Sequence, residues 1–150
     1  MVDLRAALRS HARLGLDTSI FIYHIQANSP FSGAASQVIE QLKQRTATGV
    51  TSVLTLTELL VRPFQMGHRG LALRYEALVR AIPNLTVVNT NARIARQAAV
   101  LRASHQLRTA DAVRVASSLE HGATAFVTND IRLRRITELS VIVLADYVSS

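Results

Sequence analysis

The chain has 150 residues, 49% of them hydrophobic, and a formal charge of +7 from 17 basic and 10 acidic side chains. This length suits one domain, which can bury roughly 70% of the surface its unfolded chain exposes. Cysteine is absent, which excludes disulfides, cysteine-based zinc sites and thiol catalysis, and arginine supplies every basic residue but Lys43, which points to nucleic acid or an acidic protein as partner.

No apolar run approaches the roughly 20 residues that span a bilayer. The first residues, MVDLRAALRSHARL, lack the apolar stretch of a secretory signal. A soluble, cytoplasmic protein with no membrane partner is therefore expected. Leu4, Ala7, Leu8 and His11 follow one helical face, so residues 1–13 read as a short, docked helical extension.

Arg13 to Leu16 reads as a short strand that delivers Asp17, and a helix follows from Ser19 to about Gln26. A second helix covers Ser32 to Thr46, with Ala35, Val38, Ile39 and Leu42 on its apolar side. Val50 to Leu54 reads as a buried strand, and Leu56 to Val61 begins a helix that Pro63 is expected to kink or stop. Leu71 to Ile82 is helical, and Pro83-Asn84 turns into a strand at Leu85 to Val88.

Two helices come next, from about Ala92 to His105 and from Ala110 to Glu120. In the second, Ala112, Val115, Ala116 and Leu119 are spaced i, i+3, i+4, i+7 on one apolar face, and Gly122 caps the end. Ala125 to Thr128 is a buried strand, Arg132 to Thr137 a short basic helix, and Val141 to Leu144 the last strand. Repeats, low-complexity tracts and linkers are all absent from the sequence, so one domain over 1–150 is expected.

Strands that alternate with helices imply an α/β fold with a mostly parallel sheet covered on both faces. Right-handed crossovers place all strand C-termini along one edge, where open α/β sheets bind ligands. Four of the ten carboxylates belong to segments that reach this edge: Asp17, Glu58, Asp111 and Asp130. Each has a plain structural reading. Asp17 and Asp130 suit helix N-caps, Thr55-x-x-Glu58 matches a capping box, and Asp111 in a first turn suits the helix dipole.

Jointly they read differently. Should the first and fourth strands be neighbours, the four carboxylates converge, and like charges so packed need a counter-ion. Hard oxygen ligands of this kind suit Mg²⁺ or Mn²⁺. Such ions serve phosphoryl chemistry by activating water and by stabilising charge on the phosphate and the leaving oxygen.

The segments LDTS, TLTELL, LRTADAVRVASSL and TAFVTND, in that order and from about Leu14 to Leu144, resemble PIN-domain ribonucleases, particularly the VapC-type toxins of toxin–antitoxin systems. The resemblance implies a three-layer α/β/α sandwich around a five-stranded parallel sheet of order 3-2-1-4-5. It implies catalytic, metal-holding roles for Asp17, Glu58, Asp111 and Asp130. Thr18, Ser19, Thr128 and Asn129 would then orient the carboxylates or a water. It further implies an RNA substrate, a cognate antitoxin partner and a homodimer.

The chain departs from the family pattern in places. Ile131-Arg132-Leu133 stands where many members carry a further acid, Ala110 stands where a proline often precedes the aspartate, and the N-terminal extension is an addition. Arg132, Arg134 and Arg135 form the densest basic cluster; they suit RNA phosphates beside the acidic set, or a helix face paired with Glu138. His11, His24, His68, His105 and His121 show no ligand spacing and read as structural.

Phe21, Tyr23, Phe64 and Tyr75 are too dispersed for a base-stacking platform and read as core or dimer-interface residues, the apolar face near Leu59-Leu60 and Phe64 being a candidate interface. The leading expectation is an Mg²⁺- or Mn²⁺-dependent endoribonuclease toxin. A catalytically inactive RNA-binding or scaffold module of the same fold is the alternative. A phosphatase with Asp17 as nucleophile is a third reading, which Ser19 disfavours by standing where a second aspartate is wanted.

Overall fold

Successive side chains of a strand point to opposite faces of a sheet, and here both faces meet helices. The computed structural model describes residues 3–149. Its strands are β1 (Arg13–Leu16), β2 (Thr48–Ser52), β3 (Leu85–Val88), β4 (Ala125–Thr128) and β5 (Ser140–Val143). They form one parallel sheet of order β3-β2-β1-β4-β5, with β1 at its centre. The helices are α1 (Leu4–Arg9), α2 (Thr18–Gln26), α3 (Ser32–Lys43), α4 (Leu54–Gln65), α5 (Arg69–Arg80), α6 (Ala92–His105) and α7 (Thr109–Glu120).

The strand alternation sorts the core into two layers. Leu14, Leu16, Ala125, Val127 and Ile142 face the layer built by α1 to α5, with Ile20, Phe21, Val38, Ile39 and Leu42. Val50, Val88 and Phe126 face the layer built by α6 and α7, with Ile94, Leu101, Val115 and Ala116. The three-layer α/β/α architecture and the strand order are those expected. Leu4 and Leu8 of α1 are buried against α3, so the N-terminal helix docks on a helix. Residues 1 and 2 of the expected extension lie outside the described residues.

Three local expectations are corrected. First, α4 runs through Pro63 to Gln65. Gly67, at φ +73°, ends it: the Gly67 amide bonds the Phe64 carbonyl and the His68 amide bonds the Pro63 carbonyl. This closure needs a left-handed residue, which glycine adopts freely, whereas proline removes only one bond near a helix end. Second, β2 begins at Thr48, and Leu54 already belongs to α4. Pairing decides this, since Gly49 to Ser52 align with Leu85 to Val88. Third, the basic segment Ile131–Arg135 is a 3₁₀ turn, and β5 starts at Ser140.

One close approach sets the spacing between sheet and helix. A Cβ placed on Gly15 would lie 2.7 Å from Ser118 Cβ and 2.9 Å from a Phe126 ring carbon. The missing side chain therefore lets β1 sit directly against α7. Ser118 Oγ in turn donates to the Arg114 carbonyl at 3.2 Å. We expect Gly15→Ala to cost about 1–3 kcal/mol or more, as overpacking does, measured by urea unfolding; unchanged stability would disprove this spacing role.

His24 on α2 meets Ser36 on α3, with Nδ1 2.9 Å from the hydroxyl. Burial, then the charge of Lys43, holds its pKa below the ordinary 6.5. The folded protein thus resists protonation there more than the unfolded chain does. His24 contributes stability that is complete above pH 6.5 and is lost as pH falls through the lower folded value. The urea midpoint of the parent should therefore drop on acidification below 6.5 more than that of His24→Asn. An equal or smaller drop would contradict the lowered value.

Candidate functional site

Asp17 is the first residue beyond β1, and its amide bonds the Val127 carbonyl of β4 at 3.0 Å. Its Oδ1 accepts the Thr18 amide at 2.8 Å, so it caps α2, while Oδ2 accepts the Thr128 hydroxyl at 2.6 Å. The cap reading and the cluster reading therefore hold together for this residue. Burial pushes its carboxyl above the ordinary 3.8. Thr128, the Arg114 charge and the Thr18 amide act against that rise, and nearby Asp111 adds to it.

Threonine hydroxyls tie the elements beneath Asp17. Thr51 Oγ1 donates to the Leu16 carbonyl at 3.0 Å, pairs with Thr55 Oγ1 at 2.8 Å, and Thr55 is reached by Thr18 Oγ1 at 3.3 Å. Thr55 is thus committed to this buried relay, and the capping-box reading of Thr55 and Glu58 is corrected. The N-cap position of α4 is Val53, and Ser52 Oγ accepts the Leu54 amide at 3.1 Å. Glu58 is left free to reach across the cavity.

It reaches Arg114. This side chain of α7 is only 6% exposed, and its guanidinium meets carboxylates from three elements. Nη1 lies 2.9 Å from Asp111 Oδ1 and 3.4 Å from Asp17 Oδ1, and Nη2 bonds Glu58 Oε1. Its Nε is buried with no partner. Removing either side of a buried pair is costly because the remaining charge is uncompensated.

The fourth acid behaves differently. The Asp130 amide bonds Thr128 Oγ1 at 3.0 Å, and its carboxylate turns to Arg132, whose Nε lies 2.9 Å and Nη2 2.6 Å away. The Arg132 hydrogen bond holds the Asp130 carboxyl below its ordinary value, against the opposing effect of burial. Asp130 still lines the same cavity as Asp17, Glu58 and Asp111, a volume of about 790 Å³ that Arg108 and Arg114 also border.

Of the residues expected to orient the carboxylates, Thr128 touches Asp17 by its side chain and Thr18 by its amide. Ser19 Oγ is buried without a partner. Asn129 joins the Tyr23 hydroxyl to the Ala145 amide, at 3.1 and 3.0 Å, and so braces the end of β4. In the basic cluster, Arg134 pairs with Asp146, and Arg135 donates to the Arg132 and His105 carbonyls at 2.9 and 3.2 Å. The alternative pairing of these arginines with Glu138 is not seen; Glu138 bonds His105 at 2.7 Å instead.

Sequence reading missed Arg114, Arg108, Thr51 and Thr55. The signal for Arg114 was present. Asp111, Arg114, Val115 and Ser118 stand at i, i+3, i+4, i+7, which stacks an arginine on the stripe that faces the sheet. Chemically, the clustered oxygens suit a hard divalent cation. As they stand, however, the carboxylates are directed at arginine, and among the described residues no three acidic or histidine groups form a metal-holding set.

Thr128→Val would leave a buried carboxylate oxygen without its donor. We expect a loss of about 1–3 kcal/mol in urea unfolding with EDTA present. A neutral result would show that Thr128 does not support Asp17.

Comparisons with known proteins agree with this fold. The family model described as PIN domain matches residues 15–139. A search of curated proteins gives no match. Among solved structures, VapBC2 from Rickettsia felis, crystallised bound to a DNA fragment from its promoter, aligns at TM-score 0.69 and 19% identity. That alignment covers 86% of this chain and 96% of the other. A toxin–antitoxin complex from Klebsiella pneumoniae aligns at TM-score 0.62 and 19% identity, covering 88% and 97%. At such identity these likenesses speak for the fold.

Proposed function

The chain belongs to the PIN-domain family, and on that premise we propose that it is a divalent-metal-dependent endoribonuclease, the toxin of a type II toxin–antitoxin pair. One observation carries the reading. Asp17, Glu58, Asp111 and Asp130 arrive from four segments at a single cavity beyond the C-terminal ends of the strands, inside a strongly basic chain.

Those four residues would hold Mg²⁺ or Mn²⁺. When bound, such an ion supplies activation of water and charge stabilisation at the phosphate. The protein's part is placement. Thr128 and the Thr18 amide fix the Asp17 carboxylate, and the threonine relay holds α4, with Glu58, against β1. Arg108 and Arg132 border the cavity and offer the RNA backbone bidentate donors, with Arg134 and Arg135 continuing the basic surface beyond. An RNA strand lying there would bring a phosphodiester to the acidic oxygens.

The partners follow from the same reading. A cognate antitoxin would cover the cavity, which is consistent with the toxin–antitoxin assemblies among the similar structures. A homodimer would use the outer face of α4 and α5, where Phe64 and Met66 are 51% and 57% exposed while Leu59 is buried. No helix among the described residues is long and apolar enough to cross a membrane, and the cytoplasm is where such a ribonuclease would act.

Asp130 engaged by Arg132, with Ile131-Arg132-Leu133 and no acid directly after it, favours a second reading: an inactive RNA-binding or scaffold module. One experiment separates the two. Purified parent and Asp17→Asn are compared on a structured RNA in Mg²⁺, Mn²⁺ and excess EDTA. We expect metal-dependent cleavage by the parent and a fall of about a hundredfold or more in the variant, the rate equivalent of several kcal/mol of transition-state stabilisation. Metal-independent RNA binding without cleavage would establish the scaffold instead, and equal cleavage by both proteins would sink the mechanism.

A further inference from the structure

Three carboxylates share one guanidinium at this site, and the arithmetic of charge leaves this bonded set two units negative. Asp17, Glu58 and Asp111 contribute three negative charges, and among the described residues Arg114 is the only cation that bonds them. Arg114 is nine-tenths buried, and its Nε has no acceptor. An arginine buried merely for packing would gain little, since apolar residues of similar volume usually stabilise as well or better. Its neighbours on α7, Val113 and Val115, are both buried and apolar. The charge is therefore placed for the carboxylates.

We propose that Arg114 is the resident cation of the acidic site. It positions Asp17, Glu58 and Asp111 when no divalent ion is bound, and it competes with that ion for their oxygens. This rests on the metal-dependent reading above. Two of the three contacts use the one nitrogen Nη1, so the guanidinium holds Asp111 and Asp17 from α7 and the β1 end together. A divalent ion that drew on the same oxygens would share them with this positive charge, which would lower its affinity. The arginine thus keeps the acidic residues gathered, at the expense of how tightly the ion is held.

The test measures metal binding and stability in the full chain, without relying on cleavage. Mg²⁺ and Mn²⁺ affinities of parent, Arg114→Gln and Arg114→Lys are determined by calorimetry, and thermal midpoints are recorded in EDTA and in saturating Mg²⁺. Arg114→Gln is expected to bind the ion at least about tenfold more tightly, because a unit charge at contact range in a part-buried site exceeds that factor. It should also melt lower than the parent in EDTA and regain more on adding Mg²⁺. Arg114→Lys, which keeps the charge on a compact ammonium without the planar guanidinium fork, should fall between the two.

A merely structural arginine would lower the midpoint equally in both conditions and leave affinity unchanged or weaker; that result overturns the proposal. Should the glutamine variant fail to fold, the ¹⁵N-labelled parent decides. Saturating Mg²⁺ should accelerate proton exchange at the Arg114 guanidinium, and an unaltered guanidinium signal at saturation overturns the competition. Absence of binding by every folded protein would overturn the metal-dependent reading itself, and this inference with it.

Discussion

Negative charge gathered in a half-buried place has to be compensated, and that constraint shapes this molecule. A parallel sheet with right-handed crossovers sends the C-terminal ends of its strands to one edge. Here the edge receives Asp17, Glu58 and Asp111, and their mutual repulsion and desolvation would separate them unless a cation stood between. Arg114 stands there. Burial, with the nearby Asp111 charge, keeps the Asp17 carboxyl above its ordinary value despite Thr128, Arg114 and the Thr18 amide.

The geometry that brings the charges together is set by small residues more than by large ones. Gly15 lets β1 press onto α7 at Ser118, and that contact lies two residues from Asp17 and one helical turn from Arg114. Thr18, Thr51, Thr55 and Thr128 supply buried hydroxyl bonds that join β1, β2, β4, α2 and α4. Hydroxyl side chains satisfy polar groups without adding charge or bulk. Two devices, close steric approach and buried hydroxyl links, therefore hold the carboxylates to one cavity.

The arginines of the basic segment after β4 behave as a surface already partly satisfied. Arg132 is taken up by Asp130, Arg134 by Asp146, and Arg135 by backbone carbonyls. Exposed pairs of this kind contribute little to stability, so an incoming polyanion can exchange them at small cost. Arg108 borders the acidic cavity and also the smaller hollow beside Arg132 and Arg135. It connects the acidic centre to the basic rim.

Much of the fold was legible in the chain because burial leaves periodic marks. Continuous apolar segments such as Val141–Leu144, alternating with helical patterns, announced a parallel sheet covered on both faces. The acids at the strand ends could be placed on one edge for the same reason. Local rules failed where a neighbour in space overruled them. Pro63 stayed inside α4 because the closing bonds belong to Gly67 and His68, and Thr55 left its expected cap to join Thr51 and Thr18.

By itself, then, the sequence determined the α/β class, the strand order implied by its motifs, and the set of acids at the edge. Tertiary structure alone decided which partner each acid takes. Arg114 meets Glu58 across 56 residues and Asp17 across 97, and Asp130 turns aside to Arg132, its neighbour but one. Periodicity encodes which face of an element is buried, but an ion pair depends on distance in space, which only the packed sheet and helices supply.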